Sequence, residues 1–328
     1  MQLSVPFRLM FALLGGWLMA LLHAQTPSVL DQAAREVGSV VERTRPAVVT
    51  VETVQLDNRL VRSSGFIVDS GGWVVCSAEG VQGARALRVL LSDGTAVPAQ
   101  VVGVDAISGI ALLRAPELGS RTSLRWGDPD RVPVGATVIL IGNRGGLEGS
   151  VTVGTLGGKD RVGIRPQNQR VVLLLQFNGT VGSGEPGAPL LDARGQVIGV
   201  IIGALSNVEG VPASGLALTG FAIPSTIAQR VVNDLRLKGR AEHVWLGADY
   251  QTVGGAVVVR RVAPNSPAQN AGLLPNDLIT GFNGQPIRSA SDLTRALYYA
   301  RPNQQVELVI LREGKPLKLT VQLGVQSL

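Results

Sequence analysis

The spacing of apolar residues along this 328-residue chain changes twice. Leu9 to Leu22 is an almost unbroken apolar run. Val29, Leu30, Ala33, Ala34, Val37, Val40 and Val41 then recur at intervals of three and four, which predicts a helix over Ser28 to Arg45. Ser28 can cap it, with Asp31 three residues on, and Pro46 stops it. From Ala47 onward the pattern becomes short apolar runs broken by turns. Asp69-Ser70-Gly71-Gly72, Ser92-Asp93-Gly94-Thr95 and Asp192-Ala193-Arg194-Gly195 each lie between a pair of such runs, and glycine supplies the positive φ that a tight hairpin needs. Many short strands at regular spacing predict a mainly β domain, a sandwich or a barrel. A second helix is expected after Pro224, with Ile227, Val231 and Leu235 on one face and Gly239 at its stop.

The pattern restarts after a short polar linker, Lys238 to Glu242. Gly255 to Val259 reads as a strand. Ser266 and Pro267 open a short helix that Gly272 ends, Asn283-Gly284 makes a hairpin, and Ser289 with Asp292 opens a helix bearing Leu293, Ala296 and Leu297. Two domains are therefore expected, which suits the length.

Composition narrows the class. Apolar residues make up 45% and charged residues 16%, a balance that fits a packed core and excludes a disordered chain. The formal charge is +6, but the basic residues are scattered and no aromatic residues interleave them, so no nucleic-acid partner is expected. The N-terminal run follows a single Arg8 and ends at Ala24, the pattern of a signal peptide over residues 1–24, so the body is expected to be exported to the periplasm or cell envelope. An uncleaved membrane anchor is the alternative. Cys76 is the only cysteine, which rules out an internal disulfide, and it reads as a buried small residue in a strand. No metal-ligand spacing or cofactor motif stands out, and neither a metal nor a cofactor is expected.

Gln176 to Leu190, QFNGTVGSGEPGAPL, carries the chemistry of interest. Together with PAVV at Pro46, SSGFIVD at Ser63, the LSDGT hairpin, VPVGATVILIGNRGGL at Val132 and GFAIPS at Gly220, it resembles the trypsin-like serine proteases of the HtrA family. The resemblance runs from about residue 38 to 239 and implies two six-stranded antiparallel barrels with an active site between them. In that family the loop carries the reactive serine before Gly-Gly-Pro-Leu. Here Gly184-Glu185 precedes the reactive position, Pro186 occupies it, and Gly187-Ala188-Pro189-Leu190 follows. Proline offers neither a hydroxyl to attack a carbonyl nor a backbone N–H for the oxyanion. The position of the family's histidine is Glu79, in Val75-Cys76-Ser77-Ala78-Glu79, and the position of its aspartate is Gly109, after the retained Asp105. All three triad positions are thus expected to be degenerate, with no catalytic residue. The two histidines, His23 and His243, lie outside this stretch of sequence.

Gly255 to about Gly324 resembles an HtrA-type PDZ domain. That resemblance implies a loop, Trp245-Leu246-Gly247-Ala248, whose N–H groups receive a peptide carboxylate while the peptide adds a strand to a sheet edge. The expected organisation is a signal peptide at 1–24, an N-terminal helix at 25–45, a protease-like domain at 46–239 and a PDZ domain at 240–328. The leading functional expectation is a pseudoprotease that binds protein C-termini or unfolded segments without cutting them, as adaptor, regulator or holdase. The alternatives are an active serine endopeptidase in envelope protein quality control and a structural subunit of a hetero-oligomer with an active HtrA protease; assembly as a homo- or hetero-oligomer is the other partner expectation. Family members commonly trimerise through aromatic residues near the N-terminus, and this chain has no Phe, Trp or Tyr between Trp17 and Phe66.

Overall fold

The computed structural model describes residues 28–164, 170–202, 207–208 and 219–326, so the expected signal peptide at 1–24 lies outside the described residues. The chain divides into two compact units, 1–39 and 40–328. The boundary falls within the first helix, α1 (Val29–Thr44). Ser28 caps it as the spacing predicted: its hydroxyl donates to the Asp31 carboxylate at 2.8 Å and accepts from the Asp31 N–H at 3.1 Å.

The second unit begins with β1 (Val48–Gln55), β2 (Leu60–Asp69), β3 (Trp73–Ser77), the single turn α2 (Ala78–Val81), β4 (Ala84–Leu90), β5 (Ala96–Pro98), β6 (Gln100–Asp105) and β7 (Ile110–Arg114). These seven strands form one antiparallel sheet in the order β5-β4-β1-β2-β3-β7-β6. Only Ala99 separates β5, which pairs with β4, from β6, which pairs with β7. The two are one bent strand that joins both edges of the sheet, and counted so the first barrel has the expected six. Its interior is mostly β-branched: Val49, Val51, Ile67, Val74 and Val89 are buried there beside Cys76 and Leu113.

A second barrel follows: β8 (Thr137–Arg144), β9 (Leu147–Ile164), β10 (Arg170–Asn178), β11 (Pro189–Leu191), β12 (Val197–Ile201), β13 (Asn207–Val208) and β14 (Thr219–Pro224). The order is β10-β14-β12-β11-β8-β9-β13, and an additional β9–β10 pairing closes it. Leu140, Leu156, Phe177, Leu190 and Ile198 fill this barrel without exposure. Each such side chain stabilises the fold by about 1.5–3 kcal/mol relative to leaving it in water. Helix α3 (Ser225–Lys238) follows β14 and packs on β6, β7, β12 and β14, so it ties the two barrels together. Ile227, Val231 and Leu235 are its buried face, and Gly239 ends it at φ 72°, as the spacing predicted.

The remainder comprises β15 (Val244–Trp245), β16 (Ala248–Val253), β17 (Ala256–Val262), α4 (Pro267–Asn270), β18 (Leu278–Phe282), β19 (Gln285–Pro286), α5 (Ala290–Tyr299), β20 (Gln305–Arg312), β21 (Lys315–Gln322) and β22 (Gly324–Val325). The main sheet runs β16-β17-β18-β20-β21, with β16 at its edge. Helix α5 starts with a complete capping box, the Ser289 hydroxyl on the Asp292 N–H and the Asp292 carboxylate on the Ser289 N–H. Leu293 and Leu297 of that helix pack on Val257, Val259, Ile279, Leu308 and Ile310.

Candidate functional site

Three segments far apart in sequence meet where the barrels face each other. Strand β3 ends at Ser77 and turns into α2, which places Glu79 on the exposed side of that turn. The β6–β7 turn meets it: the Ala78 N–H donates to the Gly109 C=O at 2.8 Å. The loop before β11 closes the group. The Ser64 N–H donates to the Pro186 C=O at 3.2 Å, and a Cβ on Gly187 would lie 2.5 Å from the Ser77 nitrogen. Glu79, Gly109 and Pro186 therefore lie on loops brought together by these contacts. Gly109 has φ 74°, so an aspartate placed there would need a left-handed backbone.

The Pro186 loop is held from within. Glu185 is wholly buried, and its carboxylate takes both ends of the Arg144 guanidinium at 3.1 Å. It also accepts the Gly182 N–H. Arg144 donates further to the Thr180 and Thr152 hydroxyls, at 2.9 and 3.0 Å. The Ser64 hydroxyl donates to the Gly184 C=O at 2.7 Å and accepts from the Asn143 N–H at 2.8 Å. The N–H groups of Glu185, Gly187 and Ala188 donate to the carbonyls of Gly182, Ile201 and Glu185. In a trypsin-like fold the oxyanion donors are the N–H groups of the reactive position and of the residue two before it, here Pro186, which has no N–H, and Gly184.

His243 lies beyond the protease-like stretch in sequence but touches it in space. Its Nε2 is 2.9 Å from Asp105 Oδ1, and both side chains are largely buried. Asp105 also accepts the Ser108 hydroxyl at 2.5 Å and the Ser108 N–H at 3.0 Å. Burial pushes the Asp105 carboxyl up. The hydrogen bond and charge of His243, with the bonds from Ser108, outweigh it and hold Asp105 below the usual aspartate range. A serine–histidine relay needs the hydroxyl on the imidazole. Here the Ser108 hydroxyl donates to the carboxylate. Cys76 is fully buried and burial pushes its thiol up to about 12, so it is no nucleophile. Among the described residues no group of three or more His, Cys, Asp or Glu side chains could hold a metal ion.

The second candidate site is the groove between β16 and α5, a cavity of about 740 Å³. Trp245, Leu246, Gly247 and Ala248, the run expected to receive a peptide carboxylate, all line it. Gly247 has φ 78°, and a Cβ there would lie 2.2 Å from Ser266 Cβ, so the loop requires glycine. The Gly247 C=O accepts the Ala263 N–H and the Leu246 C=O the Ala268 N–H, which fixes the loop from behind. Tyr250, Thr294 and Leu297 also line the groove and were not expected from the sequence. Two patterns could have found them. Leu246, Ala248 and Tyr250 alternate along the strand, and Ala290, Thr294 and Leu297 share one helix face.

A sheet of six strands whose edge strand faces a helix, joined to two antiparallel barrels, defines a trypsin-like peptidase fold carrying a PDZ domain. Known families agree: the trypsin-like peptidase domain matches residues 63–200 and the PDZ domain residues 244–323. A probable periplasmic serine endoprotease, DegP-like, of Chlamydia trachomatis serovar D is 33% identical over 277 residues, 80% of this chain and 53% of that protein. The putative serine protease HhoB of Synechocystis is 30% identical over 285 residues, 80% of this chain and 66% of that protein. The solved HtrA-type protease AlgW with tripeptide superposes with a TM-score of 0.76 at 26% identity, over 89% of this chain and 97% of that one. The chain belongs to the HtrA/DegP-like family of serine proteases with PDZ domains. It spans about half the length of the DegP-like relatives it matches.

Proposed function

We propose that this protein is an exported HtrA-like pseudoprotease that captures protein C-termini or unfolded segments through its PDZ domain and does not cut them. The observation that carries the reading is Pro186. At the position of the reactive serine it supplies no hydroxyl and no N–H, which removes the attacking group and one of the two oxyanion donors. Glu79 is an exposed carboxylate, and Gly109 has no side chain to orient a base. An active endopeptidase, as the relatives' names would suggest, would need a hydroxyl and a base in contact. The His243–Asp105–Ser108 arrangement places both partners on one carboxylate instead.

Peptide capture is supported by the loop at Trp245 to Ala248, by the edge position of β16 and by solved HtrA-type proteases that hold a tripeptide or a decapeptide. The periplasmic assignment of the relatives favours the cell envelope as the place of action. Among the described residues no helix is long and apolar enough to cross a membrane. The test is a titration of the purified protein with a fluorescent peptide ending in a free carboxylate, beside the same peptide amidated. A hydrogen bond to a charged group is worth about 1.5–3 kcal/mol, so amidation is expected to weaken binding roughly tenfold or more. Equal affinities would show that the loop does not receive a carboxylate.

A further inference from the structure

Tyr250 lines both the PDZ groove and the cavity next to it. Leu246, Ala248 and Tyr250 line the groove from the loop and strand β16, and Thr294 and Leu297 line it from α5. Ala248 is small and leaves room beside the carboxylate loop. Tyr250, two residues on, reaches α5: its hydroxyl lies 2.9 Å from Thr294 Oγ1. The direction of this bond follows from its neighbour. The Thr294 hydroxyl donates to the Ala290 C=O at 2.8 Å, so the proton between tyrosine and threonine is the tyrosine's. The ring is therefore tethered across the groove by Tyr250 O–H to Thr294 Oγ1 to Ala290 C=O.

Behind this tether lies a second cavity of about 420 Å³, between α3 and the PDZ elements, which Arg230, Asp234 and His243 also line. Tyr250, Thr294 and Leu297 line both cavities, so the tyrosine–threonine contact belongs to the wall between them. The wall is not free to swing with α5. At the start of that helix the Ala290 N–H donates to Thr252 Oγ1 at 2.9 Å, a second tie from β16 to α5. Helix α5 is also held to β9, where Arg295 is ion-paired with Asp160.

We infer that Tyr250 sets the depth of the pocket for the C-terminal side chain and selects chains ending in a short aliphatic residue, alanine or valine, over chains ending in an aromatic one. The inference rests on the proposed capture of C-termini and adds the class of terminus. A short side chain fits above the tyrosine ring. A phenylalanine or tryptophan side chain would have to break the tether and enter the cavity behind it, and a pocket of fixed depth discriminates against that added volume.

The experiment is fluorescence anisotropy on the purified protein, with ten-residue peptides identical except for a last residue of Ala, Val, Leu or Phe, each as free acid and amide. Valine-terminated acid is expected to bind about tenfold or more tighter than phenylalanine-terminated acid. Tyr250→Ala opens the groove into the cavity behind it and is expected to reverse that order. Thr294→Val keeps the shape of the wall, removes the acceptor of the tether and is expected to narrow the difference several-fold. Acid-selective binding that ignores the last side chain, or an unchanged valine-to-phenylalanine ratio in both variants, overturns the role of Tyr250 and leaves carboxylate capture standing. Equal binding of acids and amides, or no binding of either, overturns the capture reading and this inference with it.

Discussion

Replacing Arg144 by alanine tests whether the Pro186 loop is a rigid, purpose-held element or a slack remnant. Glu185 is wholly buried and takes two bonds from Arg144 at 3.1 Å. Removing the arginine leaves an uncompensated buried carboxylate, a change that typically costs about 3–5 kcal/mol. Arg144 is about one-third exposed, so water entering its place recovers some of that loss, and the low end, about 3 kcal/mol, is expected. In a domain of this size each kcal/mol moves the melting temperature by roughly 2–4 °C, which gives a fall of roughly 6–12 °C. Glu185→Gln should cost less, about 1–2 kcal/mol, because the arginine left behind reaches solvent and keeps its threonine partners. Arg144→Met combined with Glu185→Leu removes both charges and should regain much of the loss. The assay is thermal unfolding followed by near-ultraviolet circular dichroism at pH 7. A fall of less than 2 °C for Arg144→Ala, or a larger fall for Glu185→Gln, would refute the reasoning.

Asp105 and Cys76 carry two further predictions. Asp105 is held below the ordinary aspartate range, so its stabilising contribution is present above about pH 3.9 and is lost as the pH falls through its lower folded value. Asp105→Asn should lower stability at pH 7 and flatten the acid limb of stability against pH. Denaturant midpoints at pH 7 and pH 3 measure this, and parallel curves for the two proteins would count against it. Cys76, with its thiol pushed up to about 12, should resist iodoacetamide at pH 8 in the native protein and react fully in denaturant. Rapid native labelling, followed by mass spectrometry, would show that β3 opens.

What the sequence made legible was local. Gly94, Gly195 and Gly284 all adopt the positive φ that their hairpins require, and Ser28, Ser266 and Ser289 each cap the helix expected of them. The Trp245–Ala248 run is legible because its four residues are consecutive and all line one groove. Contacts between remote residues are not. Arg144 and Glu185 are 41 positions apart, and neither belongs to a spacing that marks a pair. His243 lies beyond the protease-like stretch in sequence, yet the fold returns it to Asp105 across 138 positions. The same holds for Tyr250 and Thr294, which sit on different elements and meet only when α5 closes over β16. The β5–β6 bend is equally hidden, because a strand that turns a corner at Ala99 keeps its apolar alternation on both sides.

The most direct test of the central claim is a turnover measurement. The purified protein is incubated with casein and with an unfolded fluorescent reporter, with and without a ten-residue peptide ending in a free carboxylate, and product is followed over hours beside a buffer blank. The account predicts release no faster than the blank and no labelling by a fluorophosphonate, because Pro186 offers no nucleophile and no oxyanion donor. Turnover well above the blank that is lost on replacing Glu79 would contradict the account and return the protein to the active serine proteases.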